Sequence, residues 1–151
     1  MDSSKIRSTS AWSGDEIDLF LLESSIPARL ACLTPSGAPL VCSLWYLYED
    51  GAIWCATQKN AHIVSCFEQD LRCGFEVAPE SPPYRGVRGQ SRVSLHEELG
   101  ADVLGRLIDR YLGTRESRFA QWLMRRQDDE VAIRVDPAWI TAWDFTQRMG
   151  A

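Results

Sequence analysis

Residues 52–75 read AIWCATQKNAHIVSCFEQDLRCGF, and their pattern predicts a strand, a short polar loop, a helix and a second strand. The loop lies where the first strand leads into the helix. Free backbone N–H groups and the positive end of the helix dipole favour a bound phosphate at such a place. The polar side chains of the loop belong to Thr57, Gln58, Lys59, Asn60 and His62. This stretch therefore predicts a phosphorylated cofactor rather than a nucleophile or a metal.

Strands and helices alternate on both sides of this stretch. A helix capped by Ser13 is expected first, followed by three strands with an Asp50-Gly51 hairpin turn before the last of them. These strands are predicted over 28–34, 40–48 and 52–57. Further elements are a helix over 60–69, strands over 71–78 and 84–95, helices over 97–112 and 115–126, and strands over 131–135 and 139–145. The order indicates a mainly β fold with flanking α-helices, in which six or seven antiparallel strands form a small barrel.

Two of these elements carry further expectations. The helix over 115–126 is expected to turn Phe119, Trp122 and Leu123 towards the core. The strand over 40–48 is apolar on both faces. A strand with one face in water should alternate apolar and polar residues, so this strand is expected to be covered on both sides. One side would face the barrel interior and the other a helix or a second subunit, from which we infer a homodimer.

Composition limits the function classes. The 151 residues are 45% hydrophobic and 25% charged, which is typical of one globular domain. We expect a flexible segment over 1–13 and the domain over 14–151. The net charge of −5 argues against nonspecific binding of nucleic acid or anionic membranes. The chain has neither the apolar run of a membrane span nor a secretion signal, so a cytoplasmic protein is expected. Its five cysteines form no CxxC pair, so no metal site is expected.

Four stretches together resemble the FMN-binding split barrel of the pyridoxamine 5′-phosphate oxidase-like proteins. They are RLACLTPSGAPLVCSLWY over 29–46, ATQK over 56–59, PPYRGVRG over 82–89 and ITAWDF over 140–145. The resemblance covers about 17–149. It implies a split β-barrel with Greek-key connections and a homodimer that binds a cofactor in a groove at its interface. FMN is the commonest ligand of such proteins, while related branches use a deazaflavin coenzyme and a few bind haem.

The resemblance also implies which residues bind the cofactor. Cys42, Ser43, Leu44 and Trp45 would line the flavin ring, although Trp45 is equally consistent with core packing. The phosphate or ribityl chain would contact Thr57, Gln58, Lys59, Asn60 and His62. The family commonly has Arg or Lys where this chain has His62. Further contacts would come from Arg88, Gln90, Trp143 and Arg148, partly from the other subunit. For each of them, a purely structural role is the alternative.

Three functions are consistent with these features. The first is a flavin-dependent oxidoreductase that acts on an unknown small molecule, with no catalytic side chain identified. The second is a reductase that uses a deazaflavin coenzyme, for which Lys59, Arg88 and Arg92 would form a basic groove. The third is a non-catalytic flavin- or haem-binding protein, with His62 or His96 as candidate iron ligands. A split barrel whose cofactor site has decayed is the remaining alternative.

Overall fold

A computed structural model describes residues 1–150 of the chain and contains one seven-stranded sheet and four α-helices in this range. The strands are β1 (Ala28–Leu33), β2 (Pro39–Leu44), β3 (Leu47–Glu49), β4 (Ala52–Gln58), β5 (Arg72–Val77), β6 (Arg85–His96) and β7 (Glu130–Asp144). The helices are α1 (Gly14–Glu23), α2 (His62–Gln69), α3 (Gly100–Leu112) and α4 (Arg118–Met124).

The strands follow the order β2-β1-β5-β6-β7-β4-β3, and all neighbours are antiparallel. The long strands β6 and β7 pair along their whole length, and β7 also pairs with β4 through its first half. The sheet curls into a split barrel. The predicted fold class, a mainly β split barrel of six or seven antiparallel strands with flanking helices, is confirmed.

The strand predicted over 40–48 is wrong in its extent, because the chain leaves the sheet after Leu44 and resumes as β3 at the opposite edge. The side chain of Tyr46 explains the break. It is fully buried, its hydroxyl donates to Leu21 O at 2.9 Å, and its backbone N–H donates to the Tyr111 hydroxyl at 3.2 Å. Because Tyr46 is bound to α1 and α3 in this way, it does not continue the β2 ladder.

The expectation that this strand is covered on both faces is not met within one protomer. The Leu40 and Cys42 face packs against the core, whereas Val41 and Ser43 are exposed, Val41 to 60%. Since β2 is also an edge strand, its outer face and its free edge are both open to another chain.

The two short C-terminal strands predicted over 131–135 and 139–145 form the single strand β7. The Asp136-Pro137 dipeptide lies at a bulge rather than at a break. The register with β6 shifts there, and the Ser91 hydroxyl donates to Asp136 O. Since proline has no N–H to donate, an irregular position in the ladder accommodates Pro137 without ending the strand.

The N-terminal segment, for which flexibility is predicted from the sequence, lies along β7 in the structure. Arg7 N–H donates to Ile140 O at 2.9 Å, and Ala11 N–H donates to Ala142 O at 3.0 Å. The Trp12 indole donates to Asp144 at 3.1 Å. The Ser13 cap is present as expected, with the Glu16 side chain completing a capping box.

Helices cover the two sides of the curled sheet. α1 and α2 contribute to the main core, for example through Ile17 and Phe67, which are fully buried. α3 packs against β4 and β7 through Val103 and Leu107, and α4 packs against α3 through Ala120. Within residues 1–150, no helix has the length and apolar character needed to cross a bilayer.

Two glycines on neighbouring strands provide a matched test of this packing. A Cβ at Gly89 would lie 2.3 Å from Trp139 O and 2.6 Å from the Phe75 ring, whereas a Cβ at Gly74 would lie 3.6 Å from Ala31 Cβ and 4.0 Å from Gly89 O, at ordinary contact distances. We expect Gly89→Ala to lower the free energy of unfolding by about 2–3 kcal/mol and Gly74→Ala to change it by less than about 1 kcal/mol, measured by urea denaturation. Equal effects would contradict the register of β5, β6 and β7.

Candidate functional site

The predicted phosphate loop connects β4 to α2. β4 ends at Gln58, and α2 begins at His62 with Ala61 as its N-cap, so no side chain caps the helix. The predicted helix start at Asn60 is therefore wrong by two residues. Asn60 and His62 are exposed, and the loop is tightened by a hydrogen bond from Ala61 N–H to Gln58 O at 2.9 Å. Val64 N–H donates to Ala61 O at 2.9 Å. Because no side chain caps the helix, the N–H groups of His62 and Ile63 remain open to an anion.

The ammonium of Lys59 is already paired. Its Nζ atom lies 3.0 Å from the Glu97 carboxylate, and both side chains are substantially exposed. Its backbone N–H donates to Asp129 O at 2.8 Å. One carboxylate and one backbone carbonyl thus bind the lysine of the loop. An exposed pair of this kind contributes only about 0–1 kcal/mol, so a more highly charged anion could displace Glu97.

The amide of Gln58 is occupied on both ends. Its Nε2 atom donates to Glu130 Oε1 and to Arg126 O, the latter at 3.3 Å. Its Oε1 atom accepts from the Arg126 guanidinium at 2.7 and 3.2 Å. Gln58 therefore joins Arg126 to Glu130 and is not available to a phosphate, in contrast to the role that the resemblance implies.

The imidazole of His62 turns back along α2 towards Ser65 and Cys66. Its Nδ1 atom lies 3.4 Å from Ser65 Oγ, and its Nε2 atom lies 3.9 Å from Cys66 Sγ. Both ring nitrogens of His96 also have partners, with Ser94 Oγ at 2.9 Å and the Glu98 carboxylate at 3.3 Å. Within residues 1–150, no group of three His, Cys, Asp or Glu side chains is placed to hold a metal ion.

A cavity of about 300 Å³ opens between the ends of β2 and β4 on one side and α3 and α4 on the other. Among the predicted cofactor residues, its lining includes Ser43, Leu44, Trp45, Thr57 and Gln58. Its volume is at the lower end of the range for ligand pockets. Residues that are distant in the sequence thus meet at one concave site beside the polar loop.

The remaining predicted residues lie elsewhere in the protomer. Cys42 packs into the core beside α2 rather than into the cavity. Arg88 and Gln90 line a second cavity of about 360 Å³ on the open face of the sheet. The Arg88 guanidinium lies 5.3 Å from the centre of the Trp143 ring, and Arg148 lies over Phe145.

Arg148 is separated from the loop by the length of β7. Glu130, at the start of this strand, pairs with Gln58, whereas Asp144, at its end, pairs with Arg85. At about 3.3 Å per residue, these ends are roughly 45 Å apart along the strand. Within one protomer, Arg148 therefore does not approach the phosphate loop.

Several cavity residues were missed from the sequence. Phe119 and Trp122 of α4 were expected in the core but are half exposed, to 50% and 49%, and line the cavity together with Arg126 and Glu130. The Arg126 guanidinium lies 4.6 Å from the centre of the Trp122 ring. The sequence did contain a signal for these cavity residues, namely two aromatic residues three positions apart followed by an arginine. The same pattern is typical of a helix that faces the core, so it did not identify a cavity.

The electrostatics of the cavity centre on Glu130. It is only 5% exposed, and burial raises the pKa of its carboxyl group. The hydrogen bond from Gln58 and the charge of Arg126 act in the opposite direction, while Asp129 adds to the rise. A buried carboxyl group whose direct side-chain partner is a neutral amide keeps its proton to a higher pH than an exposed one.

The comparisons with known proteins concern the fold. No protein-family model and no curated protein matches the chain. Among solved structures, the conserved hypothetical protein Rv2991 of Mycobacterium tuberculosis is 24% identical, with a TM-score of 0.79 over 97% of this chain and 93% of its own. An F420 reductase is 21% identical, with a TM-score of 0.67 over 80% of this chain and 93% of its own.

A third similar structure is a protein of Listeria innocua assigned as a pyridoxamine 5′-phosphate oxidase. It is 16% identical, with a TM-score of 0.63 over 87% of this chain and 97% of its own. At these identities, the likeness shows the fold alone. The chain has the split-barrel fold of the pyridoxamine 5′-phosphate oxidase-like proteins.

The raised pKa of Glu130 predicts a pH-dependent stability. A pKa that is higher in the folded than in the unfolded state means that stability is fully present at low pH and is lost as the pH rises through the folded value. We therefore expect the melting temperature of the native protein to fall relative to that of Glu130→Gln as the pH rises above about 4, where a glutamate of the unfolded chain begins to ionise. Calorimetry at several pH values measures this difference.

The exposed Glu116 provides the control, because Glu116→Gln should keep a constant offset from the native protein over the same pH range. A native protein that instead gains stability relative to Glu130→Gln as the pH rises would show that the fold stabilises Glu130 in its ionised form.

Proposed function

We propose that this protein is a homodimeric redox protein that binds a flavin-type cofactor, with FMN as the first candidate, and acts on a small molecule. The observation that carries the proposal is one cavity lined by the ends of β4 and β2, with Thr57 and Gln58 from β4 and Ser43 and Leu44 from β2. The polar loop that continues from Gln58 leads to the uncapped N-terminus of α2. This loop and helix start suit a phosphate, and the end of β2 suits a flat ring placed along a strand.

The residues present fit the phosphate end of such a cofactor. Thr57 offers a hydroxyl group, Lys59 an ammonium group, and α2 its open N–H groups. A phosphate group carries a charge of about −1.5 to −2 at neutral pH, more than the single carboxylate of Glu97 that now faces Lys59. Exchange of Glu97 for the phosphate is therefore favourable, and no buried pair has to be broken.

The cofactor supplies hydride transfer when it is bound. The chain itself contributes binding, orientation and the exclusion of water. Ser43 and Leu44 lie at the cavity edge of β2, where backbone groups would meet the polar edge of a ring. Leu104, Leu107 and Leu123 form an apolar floor that keeps water from the reacting face.

The open face of the sheet supports the dimer. Val41 is 60% exposed on edge strand β2, and a cavity lined by Arg88, Gln90 and Trp139 lies on the same side of the sheet. An exposed edge strand beside an apolar concavity favours pairing with a second chain. In such a dimer, Arg88 and Arg148 would be contributed to the cofactor by the other subunit.

A deazaflavin coenzyme is the second candidate. Arg88 and Arg92 are exposed along β6 and would meet an anionic tail that extends beyond the phosphate loop. The similar structure of an F420 reductase also supports this candidate.

The absorption spectrum of the purified protein distinguishes the candidates. Flavin bands support FMN. A colourless protein that does not bind FMN but quenches the fluorescence of a deazaflavin supports the second candidate. A Soret band would indicate haem.

The Lys59–Glu97 pair provides the mutational test. We expect Lys59→Ala to weaken FMN binding by about 1–3 kcal/mol, because a charge-assisted bond to the phosphate is lost. We expect Glu97→Gln to strengthen FMN binding by up to about 1 kcal/mol, because Lys59 then no longer has to leave the Glu97 carboxylate before it binds the phosphate. Riboflavin, which has no phosphate, should bind all variants about equally. Flavin fluorescence titration measures both ligands.

Glu98→Gln is the matched control, since Glu98 faces His96 rather than Lys59. If Lys59→Ala weakened the binding of FMN and of riboflavin equally, Lys59 would not bind the phosphate. A spectrum without flavin, together with no binding of FMN or a deazaflavin, would contradict the proposed function as a whole.

A further inference from the structure

The α4 side of the cavity has an aromatic wall that the phosphate loop and β2 do not explain. The Trp45 ring stacks on Tyr111 with centroids 4.9 Å apart and planes 7° apart. Phe119 meets Trp45 edge-on at 6.1 Å and stacks on Trp122 at 6.0 Å. Phe119 and Trp122 remain half exposed and line the cavity. Aromatic faces of this kind favour a flat, apolar ligand.

One buried polar group faces this wall. Glu130 is 5% exposed and lines the same cavity. Its Oε1 atom accepts from the Gln58 amide, whereas its Oε2 atom has no hydrogen-bond partner within residues 1–150. The described part of the chain gives Glu130 no ion-pair partner, because Arg126 binds Gln58 instead. One carboxyl oxygen is therefore available to a ligand.

The neighbours of Glu130 decide its protonation. Arg126, after α4, favours the ionised form, and Asp129, next to Glu130 in the chain, opposes it. β4 presents the neutral Gln58, and α3 presents Gly100, where a Cβ would lie 2.1 Å from Glu130 O. Burial is the strongest influence and raises the pKa of the carboxyl group. With its proton, Glu130 is a hydrogen-bond donor in an otherwise apolar site.

We infer that the α4 side of the cavity is the substrate subsite, and that it takes a flat, apolar carbonyl compound whose oxygen accepts a hydrogen bond from the Glu130 carboxyl group. The inference rests on the proposed function, to which it adds the chemical class of the substrate. A carbonyl oxygen satisfies the donor without bringing a charge into the apolar cavity. A carboxylate ligand would lose its own hydration on entry, and a hydrocarbon would leave the donor without a partner.

Acetophenone and ethylbenzene form the matched pair of probes, because they have nearly the same shape but only the ketone has an acceptor. Their dissociation constants are measured on the cofactor-free full chain from NMR shifts of the tryptophan indole groups. We expect acetophenone to bind roughly 3- to 10-fold more tightly at low pH, where Glu130 carries its proton, and this preference to disappear as the pH rises and Glu130 ionises.

Three variants complete the test. Glu130→Gln should keep the ketone preference at every pH, since an amide donates without titrating, and Glu130→Ala should abolish it. Trp122→Ala should weaken both probes by a similar factor. Glu116→Gln, on the exposed surface, should behave as the native protein and serves as the control. If a Glu130 variant does not fold, the pH dependence of the ketone preference of the native protein still tests the inference.

Equal binding of the two probes at every pH, a preference that rises with pH, or no binding of either probe would overturn the inference. These outcomes are separate from those for the proposed function, because the probes are titrated without a cofactor. If the protein binds FMN but shows no preference for the ketone, the proposed function is supported and the proposed substrate subsite is contradicted.

Discussion

The pairing of β7 with β6 on one side and β4 on the other is the constraint on which the rest of the structure depends. This register puts Glu130 opposite Gln58. It also places the start of α3 against the same strand end, where Gly100 is needed because a side chain would collide with the Glu130 backbone. α3 then holds α4 over the ends of β2 and β4. The cavity is the space that this arrangement leaves open.

The fold was predictable where its signals are local. The Ser13 cap, the Asp50-Gly51 turn and the glycine that ends α3 are read from a few neighbouring residues, and the structure has a capping box, a hairpin and a left-handed Gly113 at these places. The break of the 40–48 strand was not predictable in this way. It depends on bonds of Tyr46 to Leu21 and Tyr111, which only tertiary packing brings together.

The candidate site likewise has a part that local sequence signals predict and a part that depends on tertiary packing. The phosphate loop is contiguous, so residue types and a strand-to-helix transition were enough to locate it. Glu130 and α4 are about 60 to 70 residues away in the sequence, and their position follows from the β4–β7 register and the α3–α4 contact. The sequence also could not reveal that Glu97 pairs with Lys59 or that Gln58 is bound to Arg126. These partners shift the expected phosphate contacts to Thr57, Lys59 and the N-terminus of α2.

We propose that two copies of this split barrel hold an anionic flavin-type cofactor between the β4–α2 corner of one subunit and the open sheet face of the other. A crystal structure of the protein grown with FMN tests it most directly. We expect a dimer, with the phosphate at the N-terminus of α2 and Lys59 turned from Glu97 towards it. A monomer, or FMN bound away from this corner with the Lys59–Glu97 pair intact, would contradict it.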